Sequence, residues 1–282
     1  MILFRTKAEL ARFAAETKRS GKIIGLVPTM GYLHAGHMSL VDTARAKADV
    51  VIVTLFVNPT QFGPTEDLDR YPRDFERDKK MCEEHQVDVL FAPDANEMYA
   101  ADSSTWIEET DLAKPLCGAS RPAFYRGVTT VVGKLFHLAQ PDFACFGLKD
   151  AQQCFVIERM VRDLDFQVEI IPCPLVRDED GLALSSRNRY LSPEERKRAL
   201  SIHQALLAGR KALEEKGFAA LDEICRTAID SITAAGGKVD YVECLDRATM
   251  KAPTAESREV LLAAAVFFGT TRLIDNELVQ VK

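Results

Sequence analysis

Residues 23–37 read IIGLVPTMGYLHAGH, and this stretch carries most of the information about the fold. It opens with a short apolar run that has the length and β-branched content of a buried parallel strand, and Pro28 ends that run. A glycine-containing turn follows, and the pattern of residues 38–48 then predicts a helix. A strand that leads through a turn into a helix is part of a βα unit, so the stretch indicates an α/β fold.

The same alternation continues on both sides of this stretch. Thr6 and Glu9 fit a capping box and predict a first helix over residues 7–20. Further strands are predicted over residues 50–57, 87–91, 143–146 and 168–171, and further helices over residues 73–85, 128–139 and 150–163. Strands that alternate with helices signal right-handed crossovers. We therefore predict a Rossmann-like, doubly wound parallel sheet.

The character of the chain changes after Ser192-Pro193. Two long amphipathic segments, 193–216 and 219–235, predict helices, and three apolar runs, 239–245, 260–268 and 273–278, predict strands. This order predicts a smaller C-terminal α+β domain. We expect a catalytic domain over residues 1–176 and a C-terminal lid domain over residues 177–282, with the Gly181 loop on the hinge side.

Composition narrows the classes of function. The net charge of −6 and the pI near 5.5 argue against a broad nucleic-acid surface and favour small-molecule substrates. The seven cysteines are odd in number and form no C-x-x-C pair, so we expect reduced thiols. The sequence predicts neither a signal peptide nor a membrane-spanning run. We therefore expect a cytoplasmic protein without membrane partners.

The turn at residues 28–37 lies where ligands bind in open α/β sheets. Gly31 and Gly36 are expected to let the backbone turn tightly, and the following helix would present free N–H groups and a positive dipole end to a phosphate. His34 and His37 would face the same anion. A chance match, a pair of metal ligands and a purely capping role for both histidines remain alternatives, but placement on a strand-to-helix turn favours a nucleotide phosphate.

Three other segments carry candidate binding residues. Asn58 and Gln61 follow the strongest strand and either hydrogen-bond a small polar substrate or satisfy the backbone of their own loop. Lys149, at another strand end, either meets phosphate oxygens, with Gln153 one turn further along, or is simply solvated. The segment 184–188, LSSRN, offers two hydroxyls and a guanidinium that can close over a triphosphate, or it is a linker that caps the next helix.

Together these motifs resemble the pantothenate synthetase family over nearly the whole chain. The residues that carry the resemblance are P-T-M-G-x-L-H-x-G-H, N-P-x-Q-F, Y-P-R, R-G-V, K-D-x-Q-Q and L-S-S-R-N, in this order. The H-x-G-H motif alone identifies only the wider nucleotidylyltransferase and class I aminoacyl-tRNA synthetase superfamily. The resemblance implies an AMP-forming ligase of coenzyme A biosynthesis that condenses D-pantoate with β-alanine through a pantoyl adenylate. It also implies ATP as substrate, Mg²⁺ and a homodimer.

The resemblance also implies roles for individual residues. ATP would contact Met30, Gly31, Tyr32, Leu33, His34, Ala35, Gly36, His37, Gly147, Leu148, Lys149, Asp150, Val176, Leu184, Ser185, Ser186 and Arg187. The catalytic residues would be His34, His37, Lys149 and Arg187, with His37 as the proton donor. Substrate would contact Gln61, Gln153, Asn58 and Arg121. Asp78 would hold magnesium, although its surroundings also fit one charged face of a helix.

The chain departs from the family pattern at two places. Ala123-Phe124-Tyr125 stands where Gly-His-Phe is usual, which bears on the substrate contacts of that loop, and Leu148 replaces a common Glu, which bears on ATP affinity. Two other functions compete with the ligase reading. One is nucleotidyl transfer onto a phosphorylated substrate, and the other is a nucleotide-sensing module without activity.

Overall fold

A computed structural model describes residues 1–64 and 66–281 of the chain. Contacts between Cα atoms divide the chain into two compact units. Unit 1 consists of Met1–Thr110, Arg121–Leu148 and Val156–Pro174, and unit 2 consists of Asp111–Ser120, Lys149–Phe155 and the residues from Leu175 onwards.

The helices and strands are numbered in chain order. The strands are β1 Ile2–Phe4, β2 Ile24–Thr29, β3 Val50–Leu55, β4 Val89–Phe91, β5 Phe143–Gly147, β6 Glu169–Cys173, β7 Lys238–Asp246, β8 Glu259–Phe268 and β9 Thr271–Gln280. The α-helices are α1 Lys7–Arg19, α2 Ala35–Arg45, α3 Phe75–Glu84, α4 Ala95–Met98, α5 Cys117–Ser120, α6 Phe124–Ala139, α7 Ala151–Asp163, α8 Pro193–Lys216 and α9 Leu221–Ala234. Short 3₁₀ turns occupy Pro59–Gln61, Leu148–Asp150, Ser186–Tyr190 and Phe218–Ala220.

Unit 1 is built on a six-stranded parallel sheet with the strand order β1-β4-β3-β2-β5-β6. β2 pairs with β3 from Ile24↔Val50 to Thr29↔Leu55, and it pairs with β5 on its other side. The strand order therefore reverses at β2, which makes its carboxyl end the topological switch point where α/β sheets bind ligands. The predicted Rossmann-like sheet is confirmed.

The first two helices show why some boundaries could be predicted and others could not. At α1, the Thr6 N–H donates to Glu9 Oε2 (2.9 Å) and the Glu9 N–H donates to Thr6 Oγ1 (3.3 Å), which confirms the predicted capping box. α2 begins at Ala35, three residues before the predicted start. His34 is its N-cap with an extended backbone, and the apolar residues that produce the helical period begin only at Met38.

Gly31 and Gly36 differ in the structure. Gly31 has a φ of +83°, and Tyr32 beside it has a φ of +50°, so the chain does turn tightly there. Gly36 is the second residue of α2 and is absent from the positive-φ glycines of the described chain. The expected backbone role is thus confirmed for Gly31 and wrong for Gly36.

Unit 2 contains the three-stranded antiparallel sheet β7-β8-β9. Alternate residues of β8 point to one face, where they form a core with the apolar sides of α8 and α9. α8 has the predicted bounds because its start is fully specified by sequence. Ser192 caps it in a box with Glu195, and Pro193 occupies its first position. The predicted smaller α+β domain is confirmed, while the predicted boundary at residue 176 stays a prediction.

Three further observations concern the described chain as a whole. All seven cysteines are free thiols, as expected. Among the residues described, none of the helices has both the length and the apolar character required to cross a bilayer. β1 was not predicted, because it has only three residues and two of them are exposed at the edge of the sheet.

Candidate active site

Residues 30–37, called here the histidine turn, bring the imidazoles of His34 and His37 together at the start of α2. His34 is the N-cap and His37 the third helical residue, and their ring centroids lie 4.0 Å apart. The backbone N–H of His34 donates to His37 Nδ1 at 3.3 Å. The first N–H groups of a helix have no partner within the helix, and they carry the positive end of its dipole. Two ring systems and a helix N-terminus therefore converge at the carboxyl end of β2, as a site for anionic oxygens requires.

A buried carboxylate from α3 holds the backbone of this turn. Asp78 is 2% exposed, its Oδ2 accepts the Tyr32 N–H at 2.6 Å, and its Oδ1 accepts the Leu33 N–H at 2.7 Å. A Cβ at Gly31 would lie 3.1 Å from Oδ2. Burial raises the pKa of the Asp78 carboxyl, although the two N–H donors and Arg77 oppose that rise.

Asn58 and Gln61 form a buried amide pair after β3. Asn58 is 1% exposed, and its Oδ1 accepts from the Tyr99 hydroxyl (3.0 Å) and the Thr60 hydroxyl (2.9 Å). Its Nδ2 donates to Gln61 Oε1 (3.2 Å) and to the Gly127 carbonyl (3.0 Å). Both ends of the Asn58 amide thus have protein partners.

The side-chain amide of Gln61 reaches the histidine turn. Gln61 Nε2 lies 3.0 Å from the Met30 sulfur, a weak acceptor, so the donor group of Gln61 points towards the first residue of the turn. Burial raises the pKa of Tyr99, although its hydrogen bonds to Thr60 and Asn58 oppose that rise.

The R-G-V segment packs directly under Gln61. A Cβ at Gly127 would lie 2.5 Å from the Thr60 carbonyl oxygen and 2.8 Å from Gln61 Cα, so only glycine allows the two backbones to approach this closely. Arg121 donates to both carboxylate oxygens of Glu66 and, at 3.2 Å, to the Gln61 carbonyl. Its guanidinium lies 3.8 Å from the centre of the Phe124 ring, so a residue that departs from the family pattern packs against Arg121.

The Lys149 segment is fixed within unit 2 from two sides. Asn276 Nδ2 donates to the Lys149 carbonyl at 3.0 Å, and Lys149 Nζ lies 3.5 Å from Asp150 Oδ2. Gln152 is buried, and its Nε2 donates to the carbonyls of Leu112 (3.0 Å) and Pro115 (2.7 Å). Gln153, the next residue of α7, is half-buried.

The predicted serine and arginine residues lie in a loop over residues 175–190, called here the 175–190 loop. Its two arms pair, because the Leu184 N–H donates to the Val176 carbonyl at 3.0 Å. The Arg187 N–H donates to Ser185 Oγ at 3.3 Å, which caps the short 3₁₀ turn that follows. Ser186 is buried. Ser185 thus caps the 3₁₀ turn of its own segment, whereas Ser192 caps the next helix, α8. This local capping is compatible with a phosphate-binding role for the side chains.

Ion pairs hold the 175–190 loop to the rest of unit 2. Arg177 makes a bidentate pair with Asp275 of β9, at 2.7 and 3.0 Å, and reaches Glu277 at 3.3 Å. Arg196 of α8 pairs with Asp178 and Asp180, both at 2.8 Å. The Arg177 pair is buried, since the Asp275 side chain is 4% exposed, whereas the Arg196 pairs are about one-third exposed.

The sequence-predicted residues fall into two sets. Unit 1 contains Met30 to His37, Asn58, Gln61, Asp78, Arg121, Gly147 and Leu148, and unit 2 contains Lys149, Asp150, Gln153, Val176 and Leu184 to Arg187. Sequence reasoning missed the residues that support these two sets, namely Glu66, Tyr99, Gln152, Arg177, Asp275 and Asn276. Gln152 alone had a usable signal, because it stands beside Gln153 in the K-D-x-Q-Q motif.

The two adjacent histidines lie at the switch point of a parallel sheet, where Rossmann-like α/β proteins bind their ligands. The Pantoate-beta-alanine ligase family profile matches residues 2–278. Pantothenate synthetase from Thermotoga neapolitana is 51% identical over 285 residues, with 99% of each chain covered. The chain belongs to the pantoate-beta-alanine ligase family, which confirms the resemblance drawn from the motifs.

Solved structures agree with this assignment. Pantothenate synthetase from Thermus thermophilus superposes with a TM-score of 0.91 at 45% identity, covering 98% of this chain and 99% of that one. Pantoate-beta-alanine ligase from Francisella tularensis, solved in complex with beta-gamma ATP and beta-alanine, has a TM-score of 0.81 at 33% identity, covering 99% and 97%. The likeness extends over both units, so the comparisons concern the whole chain.

Proposed function

We propose that this chain condenses D-pantoate with β-alanine at the expense of ATP, through a pantoyl adenylate, and releases AMP and pyrophosphate. The observation that carries the proposal is the pair of adjacent imidazoles, His34 and His37, at the first turn of α2, in a chain that matches the ligase family from residue 2 to residue 278. Adenylation needs preorganised donors around phosphate oxygens and no nucleophilic side chain, and the turn supplies such donors.

The nucleotide contacts are assigned by family position together with local geometry. Residues Met30 to His37 bind ATP, and the imidazoles of His34 and His37 contact its phosphates. Gly147 to Asp150, Val176 and Leu184 to Arg187 complete the nucleotide contacts, with Lys149, Ser185, Ser186 and Arg187 on phosphate oxygens. The Lys149 alternative of a simply solvated side chain is disfavoured because that side chain is only 22% exposed and its Nζ lies 3.5 Å from Asp150 Oδ2.

Gln61 and Gln153 bind pantoate, and Gln61 also contacts β-alanine. Asn58 and Arg121 act through Gln61 in this proposal. The Asn58 amide accepts and donates only to protein groups among the contacts described, and it orients the Gln61 carbonyl oxygen. Arg121 is paired with Glu66 and donates to the Gln61 backbone. Both are thus positioning residues for the substrate glutamine.

The reaction proceeds in two displacements. A pantoate carboxylate oxygen attacks the α-phosphorus of ATP and the bond to pyrophosphate breaks, while His34, His37, Lys149 and Arg187 stabilise the charge on the phosphate oxygens. His37 gives its proton to the departing pyrophosphate. The free amine of β-alanine then attacks the carbonyl carbon of the adenylate, its nitrogen releases one proton to solvent, and AMP leaves with the carboxylate oxygen that bridged carbon and phosphorus.

The family also implies magnesium. Among residues 1–64 and 66–281, no group of three or more His, Cys, Asp or Glu side chains could hold a metal ion. Magnesium is commonly bound by one or two carboxylates together with substrate phosphates and water, so the ion can arrive with the triphosphate. Asp78 does not fit as its ligand, because both carboxylate oxygens already accept backbone N–H groups in a buried position.

Three broader features belong to the same proposal. The catalytic domain comprises residues 1–176 and the lid domain residues 177–282, the chain forms a homodimer, and it acts in the cytoplasm on small molecules, without nucleic acid or membrane partners. The negative net charge supports the absence of nucleic acid. Sedimentation equilibrium tests the dimer directly, with a single species of monomer mass as the contradicting result.

The function is tested by incubating the purified chain with MgATP and D-pantoate, with and without β-alanine, while AMP, pyrophosphate and pantothenate are quantified. Equal amounts of AMP and pantothenate, formed only with all three substrates, support the ligase. A product that retains the nucleotide would instead indicate nucleotidyl transfer, and a nucleotide bound without any turnover would indicate a sensing module.

A further inference from the structure

The backbone of the histidine turn adopts an unfavourable conformation, and the carboxylate of Asp78 stabilises it. Gly31 and Tyr32 both have positive φ values, and for Tyr32 this conformation is costly because it carries a Cβ. Tyr32 is half-buried and Leu33 is buried. A backbone N–H group without an acceptor at such a position would destabilise the fold. The carboxylate of Asp78 accepts both N–H groups, one on each oxygen. A single side chain therefore stabilises the turn at its strained point.

The same geometry disfavours direct metal binding by Asp78. The side chain is 3% exposed, and each oxygen is already within 2.7 Å of a backbone nitrogen. Magnesium retains several waters and needs octahedral space around it. A hydrated ion on this carboxylate would have to displace the turn that carries His34 and His37.

We propose that Asp78 is a positioning residue, which sets the conformation of the histidine turn for nucleotide binding without contacting metal or nucleotide. The inference rests on the proposed function only in taking the turn as the nucleotide site. Its consequence is that Asp78 contributes to binding of an adenine nucleotide even when no metal is present.

The test uses the full chain and AMP, a nucleotide whose binding can be measured by calorimetry in EDTA. In Asp78→Asn, one acceptor oxygen remains, but the new NH₂ group faces a backbone N–H. We expect the dissociation constant for AMP to rise about tenfold or more, since a buried donor is left without an acceptor. Asp78→Glu, which retains a carboxylate, should restore part of this loss. Glu76→Gln removes an exposed charge from the same helix and should leave AMP binding unchanged.

Magnesium dependence separates the two roles of Asp78. A positioning residue leaves the half-saturating Mg²⁺ concentration of the ligase reaction in Asp78→Asn within about twofold of wild type, because the first coordination sphere of the ion is untouched. The opposite pattern, with unchanged AMP affinity in EDTA and a large increase in the Mg²⁺ requirement, would overturn the proposal. The two patterns remain distinguishable whichever acyl acceptor the enzyme uses.

A measurement on the wild-type chain keeps the proposal falsifiable if the variants do not fold. Hydrogen exchange in EDTA should show slow exchange at the Tyr32 and Leu33 amides, since both donate to a buried carboxylate. Exchange at the rate of exposed amides would contradict the proposal. This experiment involves no turnover, so its failure is separate from a failure of the ligase assignment, which the product assay on the wild-type chain decides.

Discussion

We propose that the histidine turn of unit 1 and the 175–190 loop of unit 2 both bind phosphate oxygens, yet the structure holds them in different ways. The turn spans the short distance between β2 and α2, and one buried carboxylate accepts its central N–H groups. The 175–190 loop is the longer of the two and is held by ion pairs from β9 and α8. The turn is held by hydrogen bonds to one buried carboxylate, whereas the loop is held by one buried ion pair and two partly exposed ones.

This difference indicates which part of the 175–190 loop is fixed and which part can move. The Arg177 pair with Asp275 lies at the base of the loop and is buried, so breaking it would leave uncompensated charge. The Arg196 pairs lie further out and are partly solvated, so they contribute little to stability. A loop held firmly at its base and weakly beyond it suits closure over a triphosphate and later release of pyrophosphate.

The largest expected effect comes from the anchor at the base. Arg177→Ala should lower the free energy of unfolding by about 3–5 kcal/mol, because Asp275 and Glu277 lose their buried partner. Arg196→Ala is the matched control and should cost about 1 kcal/mol or less. Urea unfolding of both variants measures the contrast. Equal losses would remove the distinction between a strong base and a weak outer part of the loop.

The histidine turn should respond in catalysis rather than in stability. His37→Ala removes a donor to the phosphates, and we expect kcat/KM to fall by about 10²-fold, as for other preorganised donors to developing charge. The exposed His137 on α6 provides the control variant, which should retain full activity. If His37→Ala lowered the urea midpoint of unfolding as much as Arg177→Ala does, the main role of His37 would be in stability and not in catalysis.

The 175–190 loop also gives a pH dependence of stability, through His203, which lies beside it. Burial lowers the pKa of His203, and Arg177 adds to that effect while Asp275 and Glu277 oppose it. A histidine with a lowered folded pKa binds its proton more readily when unfolded, so its contribution to stability is complete above about pH 6.5. As the pH falls below that value, stability should decrease by at most about 1.4 kcal/mol per pH unit. Thermal unfolding of wild type and His203→Gln checks this, and identical pH profiles would contradict it.

The smallest effect concerns the backbone at Lys149. Asn276→Ala removes one hydrogen bond to the Lys149 carbonyl, worth about 1 kcal/mol, and should raise the KM for ATP by about fivefold while the KM for pantoate stays unchanged. Gln280→Ala, at the exposed end of the same strand, is the control. Steady-state kinetics with each substrate varied in turn decides the matter. An equal rise in all three KM values would indicate a general loss of structure in unit 2.

The same contrast explains what could be predicted from sequence. The strand, turn and helix at residues 23–45 are specified by neighbouring residues, so the fold and both histidines could be predicted. Asp78 could not be assigned its structural role, because it stands among other charged residues of α3 and its partners lie 45 and 46 positions away. The anchors of the 175–190 loop lie almost 100 residues away on β9, and no local pattern marks them.

The central claim is that the carboxylate of pantoate is activated as an adenylate by this chain. It is tested most directly with D-pantoate labelled with ¹⁸O in its carboxylate, incubated with MgATP and β-alanine, followed by mass spectrometry of the products. The account predicts one ¹⁸O atom in AMP for each pantothenate formed, because the bridging oxygen leaves with the nucleotide. Label in pyrophosphate, or AMP without label, would contradict it.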